Sequence, residues 1–101
     1  MKILIRESKL DMLMTEYLNG WVENKSISNL TDFILISQQA TDDDDSWVDF
    51  MEFDYTDGRL WVNRNLQKFL VDLFGKSQVG TMTFIGKWFE DKFEVEVKYV
   101  E

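Results

Sequence analysis

A chain of 101 residues has room for one domain with one core, and its 45% hydrophobic content, with 8 Phe and 4 Trp, excludes a disordered tail. The absence of Cys and His excludes a disulfide framework and thiolate chemistry, and removes the commonest metal ligand and general base of neutral pH. A formal charge of -8 disfavours phosphate backbones and anionic lipid as ligands.

The opening Lys2-Ile3-Leu4-Ile5 is short and β-prone. Ser8 is then a candidate cap, Asp11 lies three residues on, and Leu10, Leu13, Met14, Tyr17, Leu18 and Trp21 repeat at three and four. That spacing predicts a helix over 8–22, with Asn19-Gly20 weakening its last turn. Residues 23–31 are polar and read as a loop. Phe33 to Ile36 is an apolar run of strand length, and Gln38 to Ser46 reads as a solvated loop.

Trp47 to Tyr55 alternates imperfectly. One face carries Trp47, Asp49, Met51, Phe53 and Tyr55, the other Val48, Phe50, Glu52 and Asp54, and the face with Met51 and Phe53 is expected to point inward. Thr56-Asp57-Gly58 supplies a hairpin turn, and Arg59 to Val62 returns as its partner strand. Asn63 or Asn65 caps a second helix whose stripe of Leu66, Phe69, Leu70, Leu73 and Phe74 is expected in the core, with Gly75 as its stop.

Ser77 to Phe93 fits two patterns: Met82, Phe84, Gly86 and Trp88 alternate like a strand, while Met82, Ile85, Phe89 and Phe93 share a helical stripe. The capping Ser77 and the charged surface of Lys87, Glu90, Asp91 and Lys92 favour a helix. A helix predicts that Gly86→Ala is neutral or stabilising. Glu94 to Val100 alternates as a half-exposed strand. The fold expected is α+β, three helices on one face of a small, mostly antiparallel sheet of four or five strands, with the 47–62 hairpin central.

Residues 42–57 hold Asp42, Asp43, Asp44, Asp45, Asp49, Glu52, Asp54 and Asp57 with no base among them, and the remaining 11 acids balance the 11 bases. The whole net charge therefore sits in one segment, whose field reaches basic surfaces within about 8 Å at physiological salt. Asp42, Asp44 and Ser46 take the first, third and fifth places of a calcium loop, but Trp47 and Phe53 stand where that loop needs glycine and a bidentate glutamate. A solvated acidic loop is the better reading.

Asp49, Glu52 and Asp54 with the Glu96-Val97-Lys98 tripeptide have the composition of a metal-dependent nuclease site. The same spelling recurs at Glu7-Ser8-Lys9, Glu23-Asn24-Lys25 and Glu90-Asp91-Lys92, so it carries little weight. Gly75-Lys76-Ser77 echoes a phosphate-binding loop, yet Leu70 stands where its first glycine belongs. Of Trp21, Trp47, Trp61 and Trp88, most are expected in or beside the core, and Trp47, adjoining the aspartates, is expected near solvent.

Lys2-Ile3-Leu4-Ile5-Arg6-Glu7-Ser8 before a Leu-rich helix resembles the start of small uncharacterised proteins encoded by tailed bacteriophages. Leu60-Trp61-Val62-Asn63 through Leu73-Phe74-Gly75 to Lys87-Trp88-Phe89-Glu90-Asp91-Lys92-Phe93 is similar to their strand, helix, helix order. The resemblance implies a phage origin and a third helix, and assigns no functional residue.

The function these features point to is a non-enzymatic interaction module. It presents Asp42, Asp43, Asp44, Asp45, Trp47, Asp49, Glu52, Asp54 and Asp57 to a basic host or viral protein, without cofactor, metal or direct nucleic-acid contact. The alternatives are a mimic of nucleic-acid charge that occupies a DNA-binding protein, a virion or assembly component, and a metal-dependent hydrolase. No apolar stretch exceeds four residues and the amino terminus carries no signal-like run, so neither a membrane span nor export is expected, and the cytoplasm is the expected location.

Overall fold

The computed structural model describes residues 7–39 and 46–101, which form three helices and a five-stranded sheet. The opening Lys2–Ile5 segment lies outside the described residues.

Helix α1 (Glu7–Glu23) starts one residue before the expected cap, so Ser8 falls in its first turn. It runs through Asn19-Gly20 because Leu18 and Val22 are both buried, and Asn19 Oδ1 accepts a hydrogen bond from Trp88 Nε1 at 2.9 Å. Tertiary contacts here outweigh the poor helix propensity of glycine.

Strand β1 (Ser26–Asn29) occupies the segment expected to be a loop. Its four residues are all exposed and only Ile27 is apolar, so the strand has no buried face to leave a period in the sequence. The ladder to β2 (Phe33–Gln39) and a tight turn, in which Leu30 N donates to Phe33 O at 2.9 Å, specify it instead. β2 outruns the expected Ile36 because Ser37, Gln38 and Gln39 pair with Asp49, Val48 and Trp47 of β3 (Trp47–Asp54).

β3 is the middle strand, with β2 on one side and β4 (Arg59–Val62) on the other, both antiparallel. Asp54 and Asp57 shape the β3–β4 turn: Thr56 N donates to Asp54 Oδ1 and Arg59 N to Asp57 Oδ1, while Gly58 takes φ 71°. Side chains paired across the register, Ile34 with Phe53 and Leu60, and Ile36 with Met51 and Val62, are buried on one face of the sheet.

Helix α2 (Arg64–Phe74) is capped by Asn63, whose Oδ1 accepts from Asn65 N and Leu66 N, and it stops at Gly75 in the left-handed conformation, φ 66°. Only part of the expected stripe is buried. Leu66 and Leu70 join the core, whereas Phe69 and Leu73 are 51% and 49% exposed. Phe69 lies toward α1, where its ring meets Tyr17 at 6.4 Å.

Helix α3 (Gln78–Phe93) confirms the helical reading; Ser77 Oγ accepts from Gly80 N, and Met82, Ile85, Trp88 and Phe89 are buried. Gly86 is a contact point, not a tolerated flaw. A Cβ there would stand 2.8 Å from Val100 Cγ2, so the expectation for Gly86→Ala is reversed. The substitution should cost about 1–3 kcal/mol through overpacking, read as a lower urea midpoint with unchanged helical circular dichroism. An unchanged midpoint would mean that α3 does not lie against the last strand.

That strand, β5 (Tyr99–Val100), is much shorter than the expected 94–100 and runs parallel to β4. After Phe93 the chain turns at Glu94, φ 55°, and Val95 and Val97 pack on the core from an irregular segment. Glu90 Oε2 accepts from Val97 N at 2.8 Å there, replacing a strand partner. Alternation in 94–98 thus records a half-buried segment, not a ladder.

Candidate functional site

All three helices contribute buried side chains to the core on one face of the sheet. Among the described residues no helix covers the other face, called the open face below. Its rows, read from the register, are Phe33–Asp54–Arg59–Tyr99 and Leu35–Glu52–Trp61.

A β-bulge decides what joins them. Between Ile36 and Ser37 the register jumps from Met51 to Asp49, leaving Phe50 as the extra residue of β3. Phe50 turns toward the helices and packs edge-on against Trp21 at 5.5 Å, with Lys25 Nζ over both rings at 5.1 and 5.7 Å. Asn63 fastens the distortion: its backbone N donates to Phe50 O at 2.8 Å and its Nδ2 to Asp49 O at 3.1 Å.

Beyond the bulge the alternation is inverted. Trp47 and Asp49 therefore leave the inward face that simple alternation gave them and share the open face with Glu52 and Asp54. Trp47 is 52% exposed, as expected of it, and Asp49, Glu52 and Asp54 are all exposed. Asp57 stands apart: it is half-buried in the turn and sits 3.7 Å from Arg59. Asp42, Asp43, Asp44 and Asp45 lie outside the described residues.

Trp61, 37% exposed, and Tyr99 also belong to this face and were not singled out for it by sequence. The signal for Trp61 was present, since it alternates with the core residues Leu60 and Val62. The open face thus combines the aromatic rings of Phe33, Trp47, Trp61 and Tyr99 with three carboxylates and one arginine. Such rings offer stacking and cation–π surfaces, and carboxylates beside them select a cationic group. Arg59 is engaged by Asp57 and by Glu101, the latter at 3.5 Å.

The other motifs resolve structurally. Gly75-Lys76-Ser77 is a helix stop, a lysine 3.6 Å from Asp11, and the next helix cap. Glu96 and Lys98 fall in the irregular approach to β5, with the Lys98 methylenes lying over Gly58. Among the described residues no three His, Cys, Asp or Glu side chains group to hold a metal ion, and no helix is long and apolar enough to cross a membrane. Compared with known proteins, the chain matches no family model, no curated protein and no solved structure.

Proposed function

We propose that the open sheet face is a docking surface for a basic protein, and that the chain acts by binding and not by catalysis. The observation that carries this reading is the bulge at Phe50, which turns Trp47 and Asp49 to the sheet face that also carries Glu52, Asp54, Trp61 and Tyr99. An arginine or lysine of the partner stacks on an indole while its charge meets Glu52, the neighbour of Trp61 across the ladder. The aspartates 42–45 are separated from Trp47 by Ser46 alone in sequence and add long-range attraction.

The resemblance to phage-encoded proteins makes a host factor or another viral protein the partner. Mimicry of a nucleic acid is the weaker reading, because aromatic and aliphatic side chains interleave with the carboxylates of this face.

The test is capture of partners from the encoding cell by the tagged chain, in parallel with a Glu52→Gln/Trp61→Ala variant. A basic protein retained by the first and lost by the second is expected. Identical captures would overturn the docking face. With the partner in hand, changing Asp42, Asp43, Asp44 and Asp45 to Asn removes half of the net charge. Association at low salt should slow by about tenfold and lose salt sensitivity, with dissociation little changed. Stopped-flow rates that match those of the native chain would reduce these four residues to a solubilising loop.

A further inference from the structure

β5 is the last strand of the sheet, and among the described residues no strand lies beyond it. Tyr99 N donates to Gly58 O at 3.3 Å, Glu101 N donates to Leu60 O at 2.9 Å, and Glu101 O accepts from Val62 N at 2.7 Å. These two residues therefore turn their main chain toward β4, and Val100, between them, turns its N–H and C=O away. A strand edge left open in this way is a template for another extended chain.

Beside that edge, on the helix side of the sheet, a groove of about 620 Å³ lies between β5 and α3. Val97 and Val100 line one wall, and Val79, Met82 and Gly86 line the other. Val79 is 77% exposed, so the groove holds an apolar group that the fold itself does not cover. A second cavity, of about 600 Å³, shares Gln67, Gln78 and Glu101 with the first and continues it along α2.

The charge here differs from that of the open sheet face. Lys87 and Lys98 border the first cavity and Arg64 and Lys68 the second, all four exposed and none in an ion pair among the described residues. Of the acids beside them, Glu101 pairs with Arg59 and Glu90 accepts from Val97 N. Asp72 is left as the one acid of the two cavities with no partner among the described residues. In a chain of net charge -8, the groove thus offers unpaired positive charge.

Each feature specifies part of the occupant. The outward N–H and C=O of Val100 match the main chain of an extended polypeptide, Val79 takes an apolar side chain, and the unpaired bases take carboxylates. We infer that the β5–α3 groove binds an extended acidic segment of another protein, added as a strand to the sheet edge at Val100. One residue of the segment exchanges two main-chain hydrogen bonds with Val100 in an antiparallel pair. Its apolar side chains descend toward Val79 and its carboxylates meet Lys87 and Lys98. The open sheet face and this groove therefore select partners of opposite sign, and neither reading rests on the other.

The probe is an acetylated and amidated heptapeptide that alternates glutamate and valine, titrated into the isotope-labelled full chain and followed by amide NMR. A lysine–valine heptapeptide is the comparison. The acidic peptide should shift the amides of Val79, Thr83, Gly86 and Val100 in a saturable way, with a dissociation constant below about 1 mM. It should also slow hydrogen exchange at the Val100 amide, which becomes a donor in the complex. The lysine–valine peptide should leave these amides in place. Lys87→Glu/Lys98→Glu should raise the dissociation constant by about tenfold. Thr83→Trp, which fills the groove from an exposed position without altering charge, should raise it at least as much. Circular dichroism checks that both variants fold, and either one alone decides if the other does not. The absence of a saturable shift at millimolar peptide, or shifts confined to residues outside the groove, would overturn the inference. So would a Val100 amide that exchanges as fast with the peptide as without it, equal binding of the two peptides in the groove, or folded variants that bind as tightly as the native chain.

Discussion

Phe89→Ala should cost about 3–5 kcal/mol, a large share of the roughly 5–15 kcal/mol that stabilises a domain of this size. Phe89 is fully buried, and its ring meets those of Phe93 at 4.5 Å, Phe53 at 5.5 Å and Trp88 at 6.4 Å. It therefore joins α3 to the middle strand. Truncation removes the ring's apolar burial and these aromatic contacts, and the surrounding side chains, held by α3 and β3, collapse only partly into the space. Urea unfolding monitored by tryptophan fluorescence should show a much lower midpoint, and Phe89→Leu should recover most of the loss. A cost below about 1 kcal/mol would mean that α3 is not docked on the sheet through this residue.

Elements with a buried face and a local stop signal were legible in the sequence. Leu66 and Leu70 set the period of α2, Asn63 begins it and Gly75 ends it, all within the helix or beside it. The same holds for the β3–β4 turn, where Asp57-Gly58 contains its own geometry. β1 was not legible, because its residues are exposed on both faces and long-range pairing to β2 alone makes it a strand. β5 was over-read for the opposite reason: Val95 and Val97 are half-buried and alternate, but the ladder reaches only Tyr99–Val100.

The candidate site was legible in composition and not in placement. Strict alternation gave Trp47 and Asp49 the same face as Met51 and Phe53, which would have put a carboxylate toward the core. The consecutive apolar pair Phe50-Met51 was the only local hint that an extra residue interrupts the strand. What fixes the bulge there is Asn63, thirteen residues away in sequence, bonding to the Phe50 and Asp49 carbonyls. Gly86 teaches the same lesson in α3. Its helix propensity predicts a benefit from alanine, while the neighbouring Val100 methyl, fourteen residues on, would have to shift to admit the extra carbon.

Within α2, Leu70→Ala should destabilise by about 2–5 kcal/mol, and Phe69→Ala and Leu73→Ala by no more than about 1 kcal/mol each. Leu70 is fully buried, so its truncation loses transfer energy and leaves a cavity, whereas its two neighbours on the stripe keep half of their surface in water. The measurement is urea unfolding of the three variants beside the native chain. Costs for Phe69→Ala and Leu73→Ala equal to that of Leu70→Ala would place all three residues in one buried stripe, and a Leu70→Ala cost below about 1 kcal/mol would take Leu70 out of the core.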